Sequence, residues 1–396
     1  MTAFLNIAIC GAGPAGLSAA LALHRLGHRV TLFEQFEAPR PLGSGLILQP
    51  SGLAVLDWLG LGQRMRGLGA RIDRLYGKAS GSGRVVLDVR YAALGNARGL
   101  AVHRAALFNV LFEAVQEAGI GVETASAVKD LDGTSVILNQ GRRAGPFDLV
   151  IDALGARSPL IAHAAAPDCR RPLGYGAIWA SLPWPGAPFD PHALEQRYDR
   201  ASVMIGVLPI GAQREGAEAQ TAFFWSLKTD AFPRWRAAGL DRWKAEVLGY
   251  WPDVAPVLAS IREADQMILA SYDHHTLPLP FGRKLVFIGD SAHSTSPQLG
   301  QGANMALLDV YALTDALRET PNLDDALVTY ARKRRFHVRL YQGLSRVFTP
   351  FYQSDSTLLP LVRDQLVAPI SRVPPAQRLL ASIVSGRFGG PQVPAA

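Results

Sequence analysis

The chain has 396 residues, 48% of them hydrophobic, and 40 basic against 33 acidic residues give a formal charge of +7. This composition supports sizeable cores, excludes a disordered chain, and suits two or three domains. The basic excess is scattered, with no basic run interleaved with aromatics, so nucleic-acid binding is not expected; a mildly positive surface favours anionic small partners.

Leu5 to Cys10 is an apolar run that predicts a strand, and Gly11, Gly13 and Gly16 follow it in the string GAGPAG. The first glycine permits a tight turn, the second lets the backbone approach a pyrophosphate, and the third lets a helix pack closely on the strand. Pro14 suits the first turn of that helix, whose N-terminal amides and positive dipole end face the phosphates. Arg29 to Phe33 predicts the next strand, with Glu34 at its end. A carboxylate at this distance accepts ribose hydroxyls and repels a 2′-phosphate, which favours FAD or NAD over NADP here. Met1 to Leu23 carries no charged residue and is long enough to span a bilayer. Its glycines and proline stand at dinucleotide-motif spacing and it lacks the basic start of a signal peptide, so it reads as buried strand and helix.

Pro41 to Gly45 predicts a loop, and Ser51 to Leu59 a helix capped by Ser51. Arg74 to Val89 predicts a hairpin turning at Ser80-Gly81-Ser82-Gly83. Arg104 to Glu117 has the pattern of an amphipathic helix. Gly121 to Leu138 holds short strands expected to return to the nucleotide sheet, and Leu149 to Asp152 is a buried strand. From about Arg171 to Ser271 aromatics and prolines become dense, with strand-like runs at Ala177–Leu182, Ser202–Leu208 and Thr221–Leu227. His274 and His275 are expected in a solvated turn. The two cysteines, Cys10 and Cys169, provide neither a disulfide framework nor a metal cluster, so no metal site is expected and a reducing cytoplasm is the simplest compartment.

Lys284 to Ile288 predicts a second buried parallel strand. Gly289 and Asp290 close it at the C-terminal end, where open α/β sheets bind ligands, and Asp290 is placed to bond a ribitol hydroxyl. Gly300 and Gly302 allow close backbone approach, and a helix starts near Ala303. Its free N–H groups and dipole would stabilise the anionic edge of a reduced flavin. The two motifs together point to a tightly held FAD. From about Leu323 the chain is mostly helical, and Pro350, Pro360, Pro369, Pro374 and Pro375 are expected to break it into short helices.

The fold class that follows is α/β. A Rossmann-type FAD-binding domain, built from 1–70, 100–165 and 280–320, carries an inserted β-rich substrate domain of 71–99 and 170–275. A helical C-terminal segment, 321–396, completes the chain.

With these motifs the chain resembles the single-component flavoprotein aromatic hydroxylases, which include the p-hydroxybenzoate and salicylate hydroxylases. GAGPAG with Glu34 is similar to the family's first fingerprint, and GDSAHSTSPQLGQGANMAL to its FAD-ribityl motif. PRPLGSGLILQP, from Pro39 to Pro50, is similar to the segment beside the isoalloxazine. Val102-His103-Arg104 is similar to the segment whose arginine reaches the FAD. The likeness covers about residues 1 to 320.

The resemblance implies reduction of FAD by NADH or NADPH, addition of O₂, and oxygen transfer from a flavin C4a-hydroperoxide to an aromatic or other apolar small molecule. It puts Pro297 beside the flavin face as the catalytic position. Asp290 would hold the ribitol, and Ala15 and Arg104 the phosphate and ribityl region. Gly302, Ala303 and Asn304 would line the pyrimidine edge. Gly11, Gly13, Pro14, Gly16, Glu34, Gln35, Gly45, Val128, Gly155 and Gly300 complete the implied cofactor set. His293 usually supports the loop in this family. Tyr175, Trp179, Phe224 and Trp225, on predicted strands of the second domain, are the substrate candidates. In the family's middle motif an Asp-Gly pair is expected, but this chain reads DALGARSPLI from Asp152 to Ile161. Leu154 stands where the acid belongs and Ile161 where a basic residue is common, which leaves the electron donor open. A flavin reductase or dehydrogenase, a halogenase-like enzyme and a flavoprotein without turnover are the alternatives, although the WxWxIP string of halogenases is missing. Lipophilic substrates occur in the family, which leaves a peripheral membrane contact through the C-terminal helices open.

Overall fold

A computed structural model describes residues 4–38, 44–370 and 373–394. One sheet has six strands in the order Phe281–Gly282, Leu285–Phe287, Leu149–Asp152, Asn6–Cys10, Arg29–Phe33, Gly121–Glu123. All its pairings are parallel except that of Phe281–Gly282 with its neighbour. Alternation of side chains splits the sheet's two faces. Ile7 and Ile9 pack with the helices Pro14–Arg25, Arg104–Glu117 and Gly302–Glu319. Ala8 and Cys10 face the other way, against Phe33, Val128, Val136 and Phe147.

That second face corrects one expectation. Only Gly121–Glu123 returns to the nucleotide sheet; Val128–Asp132 and Ser135–Leu138 form a separate antiparallel sheet with Arg143–Ala144. The apolar residues of this small sheet are needed to cover the face the helices leave open.

The larger sheet has seven strands in the order Ile268–Ala270, Tyr175–Pro183, Gln220–Lys228, Val203–Gly211, Ala193–Asp199, Arg74–Ala79, Val85–Arg90. Its outer face packs on the helical segment from Phe232 to Ala259 through Ile178, Phe223, Trp225 and Trp243. Its inner face carries Trp179, Met204 and Phe224. This face meets the strand Gly45–Leu48 where Gly45 has no side chain: a Cβ there would lie 2.5 Å from Ile210 and 2.9 Å from Ala222.

Three further expectations change. The helix after the Pro41–Gly45 region spans Pro50–Trp58, with Gln49 rather than Ser51 at its cap position. The expected loop itself lies largely outside the described residues. Pro350 does not break the chain: one helix runs from Leu323 to Tyr352, and the proline sits in its last turn, so the one i→i−4 bond it removes lies at the end of the ladder rather than inside it. His274 and His275 are fully buried in the strand Asp273–Thr276, not in a solvated turn. His275 Nε2 lies 2.9 Å from the Ser291 carbonyl and His274 Nε2 3.3 Å from Ser345 Oγ.

Candidate active site

Two helix N-termini converge on the Gly289-Asp290 turn. Gly289 has φ +65°, and a Cβ on it would lie 3.2 Å from Ala15 and 3.2 Å from Ala306. A Cβ on Gly302 would sit 4.0 Å from Asp290 Oδ1. The first motif closes by the same economy of space. A Cβ on Gly16 would lie 1.9 Å from the Gly11 carbonyl oxygen, and one on Gly11 2.6 Å from that of Ala153. By contrast a Cβ on Gly13 would meet nothing within 4 Å. Gly11 and Gly16 are therefore required by the protein's own packing, and Gly13 faces open space.

The groups around that space are donors and charges without protein partners. The N–H groups of Ala15, Gly16, Gly302 and Ala303 have no acceptor among the described residues, as expected of first helical turns. Asp290 presents its side chain to solvent, yet protein surrounds it closely. Burial raises its pKa, and the charges of His293, Arg104 and His275 offset part of the rise. Arg104 is exposed at the start of its helix, and its charge acts on both Asp290 and Tyr272. Glu34 is buried; it accepts the N–H of Ala12 at 2.9 Å and that of Phe36 at 3.1 Å. A carboxylate has about four lone-pair sites, so acceptor capacity remains for ribose hydroxyls. Open space at Gly13, paired helix termini, a free arginine and two carboxylates fit a dinucleotide with a ribityl chain, and so fit FAD.

Other implied cofactor residues are placed differently. The Asn304 side chain is engaged within the protein: its Oδ1 accepts from Gln49 N at 2.8 Å, and its Nδ2 donates to the carbonyls of Ile47 at 3.0 Å and Gly300 at 2.9 Å. That side chain fastens Gly45–Leu48 to the helix, leaving only its backbone N–H for a ligand. The Val128 side chain belongs to the core. Gly45 serves sheet packing. Gln35 is exposed, and Gly155 has φ +85° with open space around it. Gly300 is left-handed at φ +60° and ends the short turn Pro297–Leu299. Of the segment similar to the isoalloxazine neighbour, residues 39–43 lie outside the described residues.

The largest feature missed in the sequence holds the Gly289-Asp290 turn in place. Asp309, fully buried, accepts from the N–H of Gly289 at 2.8 Å, from His293 Nε2 at 2.7 Å and from Arg334 Nε at 2.6 Å. Arg334 Nη1 continues to His337 Nδ1 at 3.0 Å. Burial, then the charge of Arg334, pushes the His337 pKa down to about 3. Burial alone would raise Asp309, but the charges of His293 and Arg334 hold it below the usual carboxylate range. His293 is thus a support for the turn. The signal was a lone acid inside the apolar run Met305–Leu313. A second chain of hydroxyls reaches Pro297: Ser296 Oγ lies 2.9 Å from Ser345 Oγ and 2.6 Å from Thr349 Oγ1.

Asp152 does not stand in for the missing acid of the middle motif. It is fully buried at the end of its strand, where it accepts the N–H of Leu154 at 2.9 Å and the hydroxyl of Ser158. Burial raises its pKa to about 7 against those hydrogen bonds. Leu154 and Ile161 pack on the apolar cluster beneath.

The substrate candidates separate by face. Trp179 and Phe224 are register partners on the inner face, with ring centroids 4.5 Å apart. Gly206 makes room for the Phe224 ring, since a Cβ there would fall 2.0 Å from it. Trp179 Nε1 donates to Tyr272 Oη at 3.2 Å, which links the aromatic row to a residue that feels the Arg104 charge. Trp225 is a correction: it follows Phe224 on a strand, so it must point to the opposite face. There it packs on Trp243 and Tyr250. The Tyr175 hydroxyl is engaged by Asp355 at 2.7 Å.

The comparisons with known proteins agree with this geometry. The family described as FAD binding domain matches residues 5–163 and 256–341. An FAD-dependent urate hydroxylase of Klebsiella pneumoniae is 26% identical over 342 residues, 84% of this chain and 86% of the relative. A 6-hydroxynicotinate 3-monooxygenase of Bordetella bronchiseptica is 27% identical over 337 residues, 81% of this chain and 85% of the relative. Among solved structures, Klebsiella pneumoniae HpxO complexed with FAD and uric acid superposes with a TM-score of 0.81 at 22% identity, covering 98% of this chain and 97% of that one. The tetrameric form of 2-methyl-3-hydroxypyridine-5-carboxylic acid oxygenase gives 0.77 at 20% identity, covering 93% and 98%. With more than half of its length matched to the family, and with free groups at two helix starts that suit the cofactor, the chain belongs to the FAD binding domain family and is a flavoprotein monooxygenase of the aromatic-hydroxylase type.

Proposed function

We propose that this enzyme hydroxylates a small, planar aromatic molecule, held against the Trp179–Phe224 row of the segments 71–99 and 170–275. NADH or NADPH is the transient electron donor and O₂ the oxidant. Bound FAD supplies the redox chemistry: it takes electrons from the donor and activates O₂. The protein supplies position and charge. In this reading Glu34 takes the ribose hydroxyls, Gly13 and the amides of Ala15 and Gly16 take the pyrophosphate, and Asp290 with Arg104 takes the ribityl chain. The amides of Gly302 and Ala303 face the pyrimidine edge, where a helix N-terminus favours negative charge. Pro297 borders the flavin face. Both cysteines are unpaired, which suits a cytoplasmic enzyme.

The observation that carries this reading is the shared direction of two sets of groups. The inner-face aromatics reach Tyr272 through the Trp179 hydrogen bond, and Tyr272 and Asp290 both feel the charge of the same free arginine. Gln196 adds a polar group to the aromatic row. It is buried, lies across from Gly206 in the register that also pairs Gly206 with Phe224, and its side-chain amide has no partner among the described residues. Apolar walls with a few convergent polar groups are the usual form of such a pocket. Relatives named for urate and 6-hydroxynicotinate support a heteroaromatic substrate.

The test is anaerobic bleaching of the purified flavoprotein by NADH and by NADPH, with and without a panel of hydroxylated heteroaromatic compounds. Bleaching accelerated by one compound, with matching O₂ uptake and a hydroxylated product, supports the reading. A flavin reduced equally fast with every compound, and no oxygenated product from any, overturns it.

A further inference from the structure

The helix Leu323–Tyr352 buries one face and leaves the other without a partner. Leu327, Tyr330, Arg334, His337, Tyr341 and Ser345 are on the buried side. Arg332, Arg335, Arg339 and Arg346 are exposed on the opposite side. The ion pairs of this helix engage Lys333 and Arg334 instead, and no carboxylate pairs with the four exposed arginines among the described residues. Between them stand three apolar side chains that solvent should not favour: Val328, 54% exposed; Phe336, 63%; and Val347, 61%. At 3.6 residues per turn these seven positions fall within an arc of about 120°, along a length of roughly 29 Å. No acid occurs from Val328 to Val347. Phe388, 40% exposed, adds to the same surface, because a Cβ on the next residue, Gly389, would lie 2.6 Å from the Phe336 ring.

We propose that this stripe is a docking surface for an anionic phospholipid bilayer, on which the enzyme rests without crossing it. Arginines have long apolar stems that lie along a hydrophobic surface while the guanidinium reaches outward. On a bilayer the guanidinium groups would meet lipid phosphates, and Phe336, Val328 and Val347 would enter the boundary with the acyl chains. No described helix is long and apolar enough to span a membrane, so the contact is peripheral. A second copy of this chain is a poor occupant, since a two-fold contact would set four unpaired arginines against four more. An acidic protein would satisfy the arginines but gives no reason for exposed apolar side chains interspersed along a convex helix. The buried face of the helix contributes Arg334 to the support of the active-site turn, so docking would hold the site at a fixed height above the lipid.

The experiment is sedimentation of the flavin-loaded enzyme with vesicles of phosphatidylglycerol mixed with phosphatidylcholine, and with vesicles of phosphatidylcholine alone, at low and high salt. Binding to the anionic vesicles is expected, lost at high salt and weak on phosphatidylcholine. Each arginine near a charged surface contributes about fivefold in affinity, so Arg335→Gln/Arg339→Gln should weaken binding about 25-fold. Phe336→Ser should weaken it without changing the salt dependence. Both variants should keep their flavin content and their turnover in detergent-free buffer. Equal binding to both vesicle types, unchanged binding by the double variant, or a concentration-dependent dimer that the double variant dissolves would each overturn the proposal. So would saturable binding of an acidic protein that blocks the stripe in the presence of vesicles.

Discussion

Asp309→Asn tests whether a buried carboxylate holds the cofactor turn. The change keeps volume and shape. Oδ2 of Asp309 accepts from Gly289 and His293, and Oδ1 from Arg334, at 2.8, 2.7 and 2.6 Å. An asparagine has only one acceptor oxygen, so its NH₂ must face either Arg334 or the Gly289–His293 pair. Either orientation sets donor against donor, and the Arg334 charge loses its only counter-ion among the described residues, in a site that is fully buried. Breaking a buried pair from one side costs about 3–5 kcal/mol, against a total stability of about 5–15 kcal/mol. The assay is urea unfolding of the flavin-loaded protein. At roughly 3 kcal/mol per molar urea the midpoint should fall by about 1 M or more, with flavin released before the main transition because the Gly289 N–H has lost its anchor. Asp309→Leu combined with Arg334→Met should recover much of the loss, since no lone charge remains. A single variant that costs less than about 1 kcal/mol and keeps its flavin would refute the argument.

Gly13→Val should yield a folded protein without flavin, because its side chain enters open space, whereas Gly16→Ala should destabilise the fold, its Cβ lying 1.9 Å from a carbonyl oxygen; flavin content and melting temperature distinguish them. Trp179→Ala should raise the substrate KM with little change in stability beyond its lost packing, while Trp225→Ala should cost about 3–5 kcal/mol and leave KM unchanged; steady-state kinetics with urea melts would show the reverse if the faces were exchanged. Asp152 has its folded pKa raised to about 7, so its contribution is complete below the ordinary carboxylate pKa and is lost as pH rises toward 7 and beyond. Asp152→Asn should therefore gain stability relative to the parent at pH 8 and match it near pH 4, in parallel urea titrations. His337, depressed to about 3, works the other way: its contribution is complete above about pH 6.5 and is lost as pH falls toward 3, so His337→Gln should flatten the acid limb of the stability profile.

The sequence determined the ends of the site and left its middle undetermined. Strand, turn, helix and acid around Gly11–Glu34 are local, each set by a backbone or side-chain requirement within a few residues, and the same is true of Gly289, Asp290 and the helix start at Gly302. The hairpin Arg74–Ala79 with Val85–Arg90 and three long strands of the large sheet were equally legible, because alternation and turn residues are local signals, whereas Ala193–Asp199 and Ile268–Ala270 were not foreseen. What a strand faces is partly local too: adjacent Phe224 and Trp225 could never both meet one ligand. Which of the two is left off the helix-covered face was decided only when the helices from Phe232 to Ala259 packed on the other. The tertiary structure also gave Asn304 to the Gly45–Leu48 strand, buried His274 and His275 in the middle strand of a three-stranded sheet, and kept Pro350 inside a long helix. It brought Asp309, His293, Gly289 and Arg334 to one point from three separate segments. None of these is encoded within a short window. A buried charge needs partners with their own hydrogen bonds wherever in the chain they come from, and only the folded chain can select them.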